Sequence, residues 1–122
     1  MLIKNEEVVS IYSAYQAGAI DTKKPLPSLV AYKICKGMEL IKDEYKQFNK
    51  KVVSLQSKYN WDEKDLDRGG LDNDTYKLYV EEYEELENET VEINISQMSI
   101  EDVNYEVSTE EMKVFYFMIS DD

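Results

Sequence analysis

Apolar residues recur along this chain with two periods, and the change from one to the other marks its elements. Val8, Ile11, Tyr12, Tyr15 and Ala19 fall at helical spacing behind Asn5, Glu6 and Glu7. They predict a first helix with Asn5 as N-cap and both glutamates in the first turn, where the macrodipole favours acids. Gly18 and the stretch Asp21-Thr22-Lys23-Lys24-Pro25-Leu26-Pro27 end it, because the residue before each proline disfavours α conformation. From Ser28, a candidate cap, to Tyr59 no proline intervenes. Across this stretch Ala31, Ile34, Met38, Ile41, Tyr45, Phe48, Val52, Leu55 and Tyr59 step by alternating threes and fours, the seam of a coiled coil or helical hairpin. That predicts a helix of about 32 residues, about 48 Å long. Leu29, Val30, Tyr32, Cys35 and Leu40 widen its apolar surface near the start, which places the first half in a globular core. The second half, flanked by Lys42, Lys46, Lys50, Lys51 and Lys58, is left for a single partner helix. Gly37 costs about 1 kcal/mol against alanine inside a helix and suits a close crossing or a slight bend.

Residues 60–74 form a polar stretch around Gly69-Gly70, after which Asp74 or Thr75 opens another helix. Its stripe of Tyr76, Tyr79, Tyr83 and Leu86 fits antiparallel against the lysine-flanked end of the long helix. The period then becomes two. Val91, Ile93 and Ile95 alternate with Glu92, Asn94 and Ser96, a strand over 90–97 with one buried face. Val103, Tyr105 and Val107 alternate as well and offer a partner strand. Ser108-Thr109-Glu110-Glu111 has the form of a capping box and opens a last helix carrying Met112, Phe115, Tyr116 and Ile119. The whole predicts an α+β fold, helix-dominated, with a long helical hairpin and a small antiparallel β element near the C-terminus. At 122 residues it is a single domain, 1–122.

Composition removes whole classes of chemistry. There is no histidine, which excludes Ser-His triads, imidazole acid–base catalysis and most metal-site designs. The single cysteine, Cys35, forms no internal disulfide and suits a reducing compartment. Its place in the apolar part of the long helix reads as a buried structural thiol. Met1-Leu2-Ile3 turns acidic at once, unlike a secretory signal, and the longest apolar runs, such as 114–119, are too short to span a bilayer. The expected location is the cytoplasm. The net charge is −12, unevenly spread. Residues 1–60 hold ten lysines against six acids, net +4, while residues 61–122 hold four cations against twenty acids, net −16. Such a surface argues against direct binding of nucleic acid or an anionic membrane.

The densest acids are Glu81, Glu82, Glu84, Glu85, Glu87, Glu89 and Glu92, seven carboxylates with no base among them. One reading is a solvated helix face, neutralised in part by the lysines of its neighbour. The other is a mimic of a nucleic-acid strand, whose phosphates lie about 3.4 Å apart along the axis, able to occupy a basic channel on another protein. Trp61 stands beside the acidic loop as either a partner anchor or a plug at the core edge. The loop fails the EF-hand pattern, since a register from Asp65 has Gly69 at position 5 and Tyr76 at position 12, where ligands are required; a solvated turn is the leading reading and a loose calcium or magnesium site the alternative. Glu111-Met112-Lys113 matches the short E-x-K element of some nucleases, but it follows a helix cap rather than lying on a strand. No catalytic residue, metal ligand or cofactor site is assigned.

Asn5-Glu6 at the first helix, the Lys24-Pro25-Leu26-Pro27 turn, Tyr32-Lys33-Ile34 at the long helix, Glu92-Ile93-Asn94-Ile95 and Phe117-Met118-Ile119 follow one another in an order that resembles a family of small proteins of unknown function encoded by phages and prophages of Gram-positive bacteria. The resemblance implies a phage accessory protein and brings no catalytic residues. In size and charge alone the chain also resembles acidic phage inhibitors of host nucleases, anti-CRISPR proteins among them. The expectation is a non-enzymatic anti-defence inhibitor whose acids 81–92 and Trp61 meet a basic groove on a host protein, a CRISPR effector nuclease being one such partner. A phage scaffold or helical oligomer, favoured by the seam, and a binder of a small signalling nucleotide are the alternatives. The oligomeric state stays open.

Overall fold

A computed structural model describes residues 1–20, 25–102 and 107–120. The element order is β1 (Leu2–Lys4), α1 (Asn5–Gln16), α2 (Ser28–Lys58), α3 (Asn73–Asn88), β2 (Thr90–Glu92), β3 (Met98–Ser99), a 3-10 turn (Ile100–Asp102), α4 (Thr109–Phe115), a second 3-10 turn (Tyr116–Met118) and β4 (Ile119–Ser120). The fold is α+β and helix-dominated.

The long seam is realised almost as spaced. Ile34, Met38, Ile41 and Phe48 are buried and the remaining seam residues half-buried along the 31-residue α2. Two apolar clusters share its first half. Val30, Ile34 and Met38 join Ile20, Met98, Val114, Phe115 and Met118 in one; Ile41 joins Ile3, Val8 and Ile93 in the other. Gly37 supplies the close crossing: a Cβ there would stand 2.7 Å from Met118 Sδ. Off the seam the expected widening is only partial. Val30 is buried and Leu40 half-buried, but Leu29, Tyr32 and Cys35 face solvent. Cys35 is therefore an exposed thiol, not a buried one, because the neighbouring elements cover only the arc that carries Ile34, Met38 and Ile41.

The second half of α2 and α3 form the expected hairpin. Phe48 packs on Tyr83 and Tyr59 on Tyr79, ring to ring at 6.2 Å. Lys58 bridges Glu82 and Lys51 bridges Glu89. Seven residues backward on α2 match seven forward on α3, so the pair is antiparallel.

The small antiparallel sheet has a different second strand. β2 pairs with β1 in the register Leu2↔Glu92, Ile3↔Val91 and Lys4↔Thr90, so its partner comes from the start of the chain. The strand expected over 90–97 is shorter, although Ile93 is buried and Ile95 half-buried as the alternation predicts. The alternative partner rested on Val103 and Tyr105, which lie outside the described residues, as do Asp21, Thr22, Lys23 and Lys24 of the expected turn. β3 and β4 make a two-residue parallel pair. The capping box at Ser108 is present in both directions, and the last helix stops at Phe115, with Tyr116 and Ile119 in the turn and strand that follow.

Candidate acidic interface

The acidic run is carried by α3, and both ends of that helix are tied down. At its start the Asp72 carboxylate accepts the Thr75 N–H at 2.8 Å, and α3 begins at Asn73, one or two residues before the opening expected at Asp74 or Thr75. Asp72 is acidified first by that backbone bond. At its end Asn5 takes the closing role. The Asn5 side-chain amide donates to the Leu86 carbonyl and its backbone N–H to the Glu89 carbonyl, both at 2.9 Å. Asn5 is buried at 2% exposure and does not cap its own helix; Lys4 holds the N-cap position of α1, with no side-chain cap bond. This satisfies carbonyls that a helix C-terminus leaves open.

The seven carboxylates separate into three groups. Glu82, Glu89 and Glu92 are bridged internally. Lys58 Nζ lies 2.6 Å from Glu82, Lys51 Nζ 3.2 Å from Glu89, and the N-terminal ammonium of Met1 2.8 Å from Glu92. Lys58, then the Tyr59 hydroxyl, hold the Glu82 carboxyl below its ordinary value, and Glu82 in turn raises Lys58. Glu87 is half-buried, and its carboxyl is pushed upward by burial first, then by Glu6 and Glu84. Glu81, Glu84 and Glu85 are exposed, and among the described residues no ion pair holds them. Glu81 and Glu85 stand one helical turn apart, about 6 Å along the axis.

Trp61 is brought to this hairpin as part of its packing. Asn60 N–H donates to the Ser57 carbonyl and Trp61 N–H to the Gln56 carbonyl, with Asn60 at φ 56°. That is a Schellman closure of α2. It turns the indole onto Tyr79, with ring centroids 4.6 Å apart. Gly69, at φ 59°, also lies against the ring, where a Cβ would overlap the indole. The ring is half-buried, in contact with Tyr79 and Gly69.

The remaining motifs have structural uses. The Asp65 carboxylate accepts the backbone N–H groups of Asp67, Arg68 and Gly70 at 3.1–3.2 Å, and these bonds, Arg68's first, acidify it. Its oxygens tie the loop together. Among the described residues no group of three or more acids or thiols is arranged to hold a metal ion. Glu111 of the E-x-K element is the buried partner in the capping box, on a helix. Sequence reasoning missed Asn5 and the Arg68 clasp, in which the guanidinium donates to the Asn73 side chain and sits 5.2 Å over the Tyr76 ring. A single arginine eight residues before a tyrosine carries no periodic signal. Comparisons of the chain with protein-family models, curated proteins and solved structures return no match.

Proposed function

We propose that this is a non-catalytic phage anti-defence protein that inhibits a host nucleic-acid-handling protein by placing its acidic α3 against a basic groove. One observation carries the reading: Glu81, Glu84 and Glu85 are presented on a helix fixed at both ends, with no ion pair among the described residues. A pre-ordered carboxylate row gives up little conformational freedom on binding, and complementary charge accelerates encounter. Glu82, Glu89 and Glu92 enter such a contact only by releasing Lys58, Lys51 and the N-terminal ammonium, so they contribute less. Trp61 supports the hairpin rather than anchoring the partner. The partner is a cytoplasmic protein that grips phosphates, of which a CRISPR effector nuclease is an example.

The test is cleavage of target DNA by a panel of such effectors with the protein added. The wild-type protein suppresses cleavage by at least one of them. The triple variant Glu81→Gln, Glu84→Gln, Glu85→Gln loses that suppression while keeping its circular dichroism. Binding must also weaken as salt rises through the physiological range, where the screening length is about 8 Å. Suppression that survives the triple variant overturns charge-led recognition.

A further inference from the structure

The two outward helix faces of the hairpin carry matching patterns. On α2, Lys46, Lys50 and Val53 are exposed, and at 100° per residue they lie within about 60° of arc. On α3, Leu78, Glu81 and Glu85 are exposed and occupy an arc of the same width. Val53 and Leu78 are apolar residues left 56% and 52% open to solvent. Read in opposite chain directions the spacings coincide. From Leu78 the steps are three, then four, forward; from Val53 they are three, then four, backward. A parallel arrangement reverses the order and breaks the match.

We propose that α3 of one copy docks antiparallel on α2 of a second copy, pairing Leu78 with Val53, Glu81 with Lys50 and Glu85 with Lys46. The flanking positions agree with this register. Asp74 falls opposite Ser57, Lys77 opposite Ser54, Glu84 opposite Gln47 and Asn88 opposite Asp43, so none of these four pairs sets like charges opposite each other. Glu63 borders the groove that Val53 and Ser57 line, so Asp74 of the docked copy comes near that carboxylate. A second copy is the occupant because one chain carries both halves of the pattern, basic on α2 and acidic on α3. The two faces differ, so the contact is head-to-tail and leaves a free α2 face at one end and a free α3 face at the other. It also covers the carboxylates that the proposed inhibitor offers its target, so self-contact and target capture exclude each other. The pairing itself needs no host protein and stands independently of that function.

Sedimentation velocity on the purified full chain, across micromolar to millimolar concentrations, tests it without any partner. The wild-type protein shows a sedimentation coefficient that rises with concentration. The charge reversals Glu81→Lys with Glu85→Lys, and Lys46→Glu with Lys50→Glu, each weaken self-association by at least about tenfold. Mixed in equal amounts, the two reversed proteins associate again, since each supplies the face the other lacks. A wild-type monomer at every concentration overturns the proposal, as does a mixture that stays monomeric. Should a reversal disturb folding, Leu78→Ser keeps every charge, and association at wild-type strength in that variant overturns the pairing equally. Target inhibition measured on dilute protein separates this outcome from that of the proposed function.

Discussion

Asn5 shows how one side chain joins the two ends of the chain. Buried at 2% exposure, it closes α3 through the Leu86 and Glu89 carbonyls, while β1 immediately before it pairs with β2 immediately after that helix. Asn5→Ala removes that side-chain donor and leaves the Leu86 carbonyl only the Glu89 N–H at 3.3 Å, and the expected loss is about 1 kcal/mol in urea unfolding. Asn5→Asp loses more at neutral pH, since a carboxylate then faces a carbonyl oxygen, and part of the deficit returns below the ordinary aspartate range. Glu87 is a native carboxylate with the same pH dependence, so here the substitution stabilises. Its folded-state carboxyl is raised by burial, then by Glu6 and Glu84, so its ionisation costs stability that is intact below the unfolded glutamate value and is lost as pH rises through the folded one. Glu87→Gln therefore raises the melting temperature at pH 7, and the gain shrinks to nothing as pH falls below the unfolded glutamate value. Thermal melts across that window check it.

At the scale of elements, what the sequence made legible was whatever repeated. The α2 seam, the tyrosine stripe of α3 and the Ser108 capping box each rest on several residues voting together, and each is present. Features carried by one or two residues were illegible. β1 is three residues long, too short for alternation to register, so its pairing with β2 could not be read. Asn5 has the chemistry of an N-cap, and only the arrival of α3 beside it turns its amide outward. Cys35 reads as buried from its apolar type alone, but the helix that carries it is covered along one arc only and the thiol is exposed. The acidic run was legible as a run, but which acids are bridged depends on the hairpin register, set by aromatic packing. Gly37 tests that packing directly. Gly37→Ala gains about 1 kcal/mol of helix propensity and forces a methyl to 2.7 Å from Met118 Sδ, in a side chain with no exposed surface. Overpacking costs about 1–3 kcal/mol, so the net expectation is a loss of about 1 kcal/mol. In a Met118→Val background the sulfur is withdrawn, and the same substitution becomes stabilising. A double-mutant cycle in urea reads the reversal of sign.

The whole molecule carries a net charge of −12, which works against compactness. The bridged acids relieve part of this, since Lys58, Lys51 and the N-terminal ammonium sit on Glu82, Glu89 and Glu92. Among the described residues Glu81, Glu84 and Glu85 have no such relief, and they repel one another at three- and four-residue spacing on α3. Each such like-charge pair is unfavourable by about 0.2–0.5 kcal/mol. If these residues only kept the protein in solution, replacing them would change stability and nothing else. If they are the recognition surface, stability and inhibition move in opposite directions. The Glu81→Gln, Glu84→Gln, Glu85→Gln variant is expected to melt higher than wild type at low salt, with the difference shrinking as salt screens the repulsion. The same variant is expected to lose suppression of its effector. Glu82→Gln, which strands Lys58, is expected to melt lower and to inhibit nearly as well. Melting curves and cleavage assays on these two variants thus separate a charged skin from a binding face, because only a binding face makes the more stable variant the inactive one.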